Sequence, residues 1–213
     1  DEIVWKSRVS EQDGDNVWRN VIEIEKRFGK RSMGVLEVIH EDDADDSEIT
    51  KVEAGAKTVL HWNLEKGSIL SGALIYAIPT DSDESDEIIP YLAYAKRLND
   101  KATFQSSGRV IVPVDDADEG EAELAGVVHY LWTERARAMF PALEVTAVVP
   151  FDAGDEDSVQ WTVVPQVRLG LTKGGHVALN FGIEVPLSDQ SWNTRYHLNV
   201  LWDFADGSLF KGW

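Results

Sequence analysis

The sequence predicts an all-β chain: a transmembrane, up-and-down antiparallel β-barrel of about twelve strands over residues 1–204, with a short tail at 205–213. Three observations predict it. Most segments alternate apolar and polar side chains with the period of a strand. Short turns carrying Lys or Arg alternate with longer acidic loops. Trp residues gather at strand ends.

Composition sets the frame. The chain has 213 residues, 38 acidic and 20 basic side chains and a formal charge of −18. An apolar fraction of 43% and eight Trp are enough to drive folding despite that charge. The acidic balance argues against nucleic-acid binding, which needs clustered Lys and Arg. With no cysteine there is no disulfide scaffold, thiolate metal site or cysteine nucleophile. No apolar run is long enough for a transmembrane helix. No signal peptide stands at the start, and numbering from Asp1 fits removal of one before that point.

The first strands are expected at 2–10 and 16–28, joined by the acidic stretch 11–16 (EQDGDN). Strand 16–28 opens with Trp18 and closes on the basic turn Phe28-Gly29-Lys30-Arg31. Segment 31–40 alternates too poorly to assign its faces, and the acidic stretch 41–49 (EDDADDSEI) follows. Segment 50–63 sets Val52, Ala54, Ala56, Leu60 and Trp62 against Lys51, Glu53, Lys57 and His61, before the turn Leu64-Glu65-Lys66-Gly67. Segment 68–79 ends in Ile78-Pro79-Thr80-Asp81 and enters the acidic stretch 80–87. Segment 87–98 also alternates poorly and ends at the turn Leu98-Asn99-Asp100-Lys101.

Segment 102–113 closes with Val112-Pro113-Val114-Asp115, the same phrase again, before the acidic stretch 115–123. Segment 121–133 reaches Trp132 and the turn Glu134-Arg135-Ala136-Arg137. Segment 137–149 leads into a third copy, Val149-Pro150-Phe151-Asp152, and the acidic stretch 151–157. Proline lacks the N–H of a ladder, so it suits the point where a strand leaves the sheet. Segment 158–171 sets Trp161, Val163, Val167 and Leu169 against Gln160, Thr162, Gln166 and Arg168. Pro165 falls in mid-strand and predicts a bulge or a register slip. After the turn Thr172-Lys173-Gly174-Gly175, segment 176–187 sets Leu179, Phe181, Ile183 and Val185 against Asn180, Gly182 and Glu184. It ends in a looser copy, Val185-Pro186-Leu187-Ser188-Asp189. Segment 192–204 sets Trp192, Tyr196, Leu198, Val200, Trp202 and Phe204 against Arg195, His197 and Asp203.

A soluble sandwich or barrel would share this period. Strand length and aromatic placement favour the membrane. Most segments are long enough to cross a bilayer at a tilt, whereas strands in soluble sheets average about five or six residues. Trp18, Trp161 and Trp192 begin strands at the acidic-loop end; Trp62, Trp132 and Trp202 end strands at the basic-turn end. These six are the expected membrane-interface residues, one belt per bilayer surface. An even strand number that starts and ends on the turn side puts both termini in the periplasm of a bacterial outer membrane.

The final strand, Tyr196 to Phe204, resembles the C-terminal assembly signal of outer-membrane β-barrels. Nine residues follow it here, whereas that signal usually closes a chain. The stretch Gly182–Trp213 is similar to the end of small porin- or transporter-like barrels of proteobacteria, including the family associated with phenol-degradation operons. The resemblance covers about 30 residues. It implies an outer-membrane location and names no substrate.

With the apolar faces toward lipid, the other faces line a lumen. The expected pore-lining residues are Arg19, Glu23, Lys57, Arg109, Glu144, Arg168, Glu184, Arg195 and His197, with Glu25, Arg27, Lys51, Glu53, His61, Gln105, His129, Gln166, Asn180 and Asp203 on the same faces. Twelve strands lie between a side-chain-filled eight-strand barrel and an open sixteen-strand one. The interior is thus either a narrow pore for small hydrophilic solutes or cations, or a plug of paired charges. The acidic loops admit three readings: a solvated rim, a Ca²⁺ site at Asp42, Asp43, Asp45, Asp46, Asp81 and Asp83, or electrostatic attraction of a cation or a basic protein partner. Beside anionic lipopolysaccharide, such a rim requires bridging cations. The chain carries no His-Glu-x-x-His, Gly-x-Ser-x-Gly or phosphate-loop motif, so no enzyme is expected.

Overall fold

A computed structural model describes residues 1–12, 15–43, 46–133, 138–151, 159–172 and 176–204. The tail at 205–213 lies outside them. Twelve strands are present: β1 (Glu2–Gln12), β2 (Asp15–Arg27), β3 (Ser32–Asp42), β4 (Ser47–Asn63), β5 (Ser68–Pro79), β6 (Glu87–Arg97), β7 (Ala102–Pro113), β8 (Glu121–Tyr130), β9 (Met139–Pro150), β10 (Gln160–Gly170), β11 (Val177–Pro186) and β12 (Trp192–Asp203). Each pairs antiparallel with its neighbours in sequence, and β1 pairs with β12, so the sheet closes into a barrel. Closure satisfies every strand's backbone groups and removes the sheet edges, which a strand-built membrane span requires.

Side chains on the two surfaces sort as the alternation demands. Ile22 is 51% exposed and Trp18, Ile24 and Leu36 are also exposed on the outside, while their neighbours Val21, Glu23 and Val35 are buried inside. Pro79, Pro113, Pro150 and Pro186 are the last residues of β5, β7, β9 and β11. All four strands run toward the acidic-loop end. Pro165 sits in an unshifted register: it pairs with Leu143, and the β10–β11 ladder keeps one register on either side of it. The expected bulge is absent there, because the missing N–H costs ladder contacts without adding a residue.

Register shifts occur elsewhere. One lies between Ser10 and Gln12 on the β1–β12 ladder, one between Ile39 and His40 on β3–β4, and one between Val59 and His61 on β4–β5. A bulge adds one residue to one strand, so every side chain beyond it changes face. Two of these shifts rearrange predicted residues.

The outer apolar surface yields a direct test. Leu92 stands mid-way along β6 on the outside and is 55% exposed. In a bilayer, Leu92→Arg is expected to cost about 2–4 kcal/mol, read as a shift in the denaturant midpoint of the barrel refolded into lipid vesicles. An unchanged midpoint would mean that this surface does not face lipid.

Candidate functional site

The ladders place one face of every strand inside the barrel. All nine predicted pore-lining residues lie on that inner face, and most are joined in ion pairs. Glu23 of β2 receives Lys6 of β1 at 2.5 Å and Lys57 of β4 at 3.1 Å. Lys6 also reaches Glu37 at 3.4 Å, and Lys57 also pairs with Glu25. Toward the loop end Arg19 pairs with Glu41 at 2.9 Å. Further round, Lys51 meets Glu87 at 2.8 Å and Arg109 meets Glu123 at 2.8 Å. The Gln166 amide donates to Glu144 at 2.7 Å, and the Asn180 amide donates to Gln166 at 2.6 Å. Glu184 lies 2.9 Å from His197 and 4.0 Å from Arg195. Arg168 borders a cavity of about 140 Å³ with His129, Asn180 and Asn199.

These pairs form because adjacent strands put opposite charges on neighbouring inner positions. The result is a wall of both signs running from β9 through β12 and β1 to β4. Acids slightly outnumber bases on it. Lys6, Arg8, Glu37 and Glu41 belong to this wall but were not singled out in the sequence. In β1 the signal is present: Glu2, Val4, Lys6, Arg8 and Ser10 occupy one face against Ile3, Trp5, Ser7 and Val9. In β3 the signal is blurred by Val35 and Ile39, apolar residues that are buried inside the barrel.

The opposite wall differs. From β5 to β8 the inner face carries Glu87, Arg109, Glu121 and Glu123 toward the loop end, and below them Ser71, Ala73, Ala93, Ala95, Ser107 and Ala125, with Tyr91 and Gln105. These short side chains leave a space of about 250 Å³ against Glu144. Toward the loop end of the same wall, Ile75, Ala77 and Ile89 form a small buried cluster with Ala73 and Ile111 packed on it. Gly55 faces this cluster. A Cβ there would come within 2.4 Å of the Leu74 carbonyl and 2.8 Å of the Ile75 backbone, so the close approach of β4 to β5 requires glycine. The interior is thus narrowed near the loops and open toward the turns.

Of the six predicted interface Trp, Trp18 and Trp161 are exposed on the outside near the loop end. Trp202 packs edge-on to Phe204 at the turn end, and Trp132 is exposed beyond β8. Two depart from the expectation, each through a bulge. Trp192 pairs with Gln12 across the β12 irregularity, is 4% exposed and lies under the Arg195 guanidinium at 3.8 Å. Trp62 pairs with Ile69, so it shares the inner face of Val59 and Lys57, while His61 pairs with Leu70 and moves to the outer face. His61 therefore leaves the predicted lumen set.

In the acidic loops the carboxylates serve their own turns. Asp43 accepts the Asp46 amide at 2.9 Å, Asp46 the Ser47 amide at 2.7 Å, and Asp81 the Asp83 amide at 3.0 Å. Asp42 is exposed. Asp45 lies outside the described residues. Among the described residues no three His, Asp or Glu side chains converge on a metal position.

The folding pattern has known counterparts. Over 96% of this chain and 99% of the other, the structure matches the KdgM porin with a TM-score of 0.69 at 14% identity. It matches the NanC porin over 95% and 99% with a TM-score of 0.65 at 8% identity. An outer membrane channel from Pseudomonas putida F1 matches over 94% and 93%, with a TM-score of 0.64 at 13% identity. The chain has the fold of the outer-membrane porins. At these identities the likeness concerns fold. No family model and no curated protein matches the sequence.

Proposed function

We propose that this protein is a narrow outer-membrane channel for small hydrophilic solutes, with cations favoured at its acidic mouth. The observation that carries the reading is the uneven interior. The Ala and Ser side chains of β5 to β8 leave open volume beside a charged wall that is largely neutralised by its own pairs. A solute crossing here meets hydroxyl and amide groups and a balanced set of charges. The porin fold supports the same reading. One solved form of the KdgM porin holds oligogalacturonate, a polyanion. The inner wall of this chain has no excess of base, so we do not extend that ligand to it.

We infer an orientation from where the first and last strands end. Asp1 contacts Lys26 at the turn end, and the amino terminus lies 3.8 Å from Asp203. β1 thus begins and β12 ends on the basic-turn side, which we assign to the periplasm, with the acidic loops outside beside lipopolysaccharide.

A planar-bilayer recording tests the proposal. Discrete conductance steps are expected, with a reversal potential favouring cations that weakens when Asp42, Asp43, Asp46, Asp81 and Asp83 are changed to Asn. A folded barrel with no current above leak would sink the channel reading. The second reading, a plugged barrel whose rim holds Ca²⁺ or a basic protein, is favoured by the Ile75–Ile89 cluster that narrows the loop end. It would then be the better account.

A further inference from the structure

At the turn end the interior opens into a cavity of about 540 Å³, bordered by β4 to β7 and the turn before β3. Its character differs from that of the charged wall. Val59, Ile69 and Ala95 line it, and the β4 bulge turns the Trp62 ring into it. Lys30, Arg31, Lys96 and Arg97 stand at its border, and no carboxylate does. Lys6, Arg19, Lys51, Lys57 and Arg109 each have a glutamate within ion-pair distance. Among the described residues, none of the four cations at this mouth has one.

Two local features hold the cations in place. Arg31 lies over the Trp62 ring, 4.0 Å from its centre, a contact that orients a guanidinium while leaving its N–H groups free to donate. Gly67 adopts φ +59°, and a Cβ on it would come within 2.9 Å of the Arg97 Cβ and 3.1 Å of its Nε. The absence of that side chain lets Arg97 lie across the turn, and its backbone N–H donates to the Gly67 carbonyl at 2.8 Å.

An apolar cavity bordered by two guanidinium groups that have no carboxylate partner among the described residues suits one ligand chemistry. A carboxylate takes two parallel hydrogen bonds from an arginine, and an apolar body gains by leaving water against an aromatic face. We propose that this mouth binds a small organic anion with an apolar body, its carboxylate held by Arg31 and Arg97 and its body against Trp62. The site adjoins the solute path proposed above, sharing Ile69, Ala95 and Gln105 with it, and ligand binding there does not depend on that path being open.

Isothermal titration of the barrel in lipid nanodiscs with benzoate tests this. Acetate supplies the charge without the body, and benzylammonium the body with the opposite charge. Benzoate should bind, acetate about tenfold more weakly or worse, and benzylammonium not at all. The double variant Arg31→Gln, Arg97→Gln should weaken benzoate at least tenfold. Trp62→Leu should weaken benzoate while leaving acetate unchanged, and Trp161→Leu, at the other end, should change neither. Folding is checked by heat-modifiable gel migration. Where the double variant does not fold, Arg97→Lys, which keeps charge but loses the paired donors, should still weaken benzoate. No benzoate binding, equal binding of acetate and benzoate, or indifference to the arginine changes would overturn the proposal.

Discussion

Glu23→Ala should be among the most destabilising single changes in this barrel. Glu23 is 8% exposed at its side chain and answers two lysines from two other strands, Lys6 and Lys57. Deleting the carboxylate leaves both ammonium groups short of their main partner inside the barrel. Breaking a buried pair from one side costs about 3–5 kcal/mol. Here the lower end applies, because Lys6 keeps Glu37 and Lys57 keeps Glu25, and both lysines retain some contact with water. The double change Glu23→Gln, Lys6→Met should recover most of the loss, since replacing both members of a pair is often near neutral. Denaturant titration of the refolded barrel reads both. A Glu23→Ala midpoint within error of the parent would show that the network contributes nothing to stability.

Ala125→Trp should remove most of the single-channel current. Ala125 lies on the inner face of β8, opposite Ser107, and borders the 250 Å³ space beside Glu144. A Trp side chain would occupy much of that volume. The adjacent Leu124 points outward and is 60% exposed, so Leu124→Trp places the same ring on the outer surface and should leave the current as it was. The pair controls for the chemistry of Trp and isolates the face. Equal currents in both variants would mean that solutes do not pass along the small-residue wall.

Much of this arrangement was legible before any coordinates. The faces of β2, β10, β11 and most of β12 follow from strict alternation, and the four repeated prolines do mark strand ends. Three things were hidden. The faces of β3 and β6 were unreadable because Val35, Ile39 and Ile89 are apolar residues pointing inward, which breaks the rule that the inside is polar. The small-residue wall was missed because Ala and Ser carry no charge to draw attention. The reversal of Trp62, His61 and Trp192 was missed because a bulge leaves no mark in a single strand's composition.

The sequence by itself determined the strand number, the barrel class, the polarity of acidic loops and basic turns, and which side of most strands faces out of the barrel. These depend on local periodicity and on charge, which each segment carries within itself. Only the tertiary structure decided which acid meets which base, where the interior is open, and which face Trp62 and Trp192 present. Those depend on register between strands, and register is a property of the pair: one added residue, placed by the partner strand, turns every later side chain to the other side of the wall.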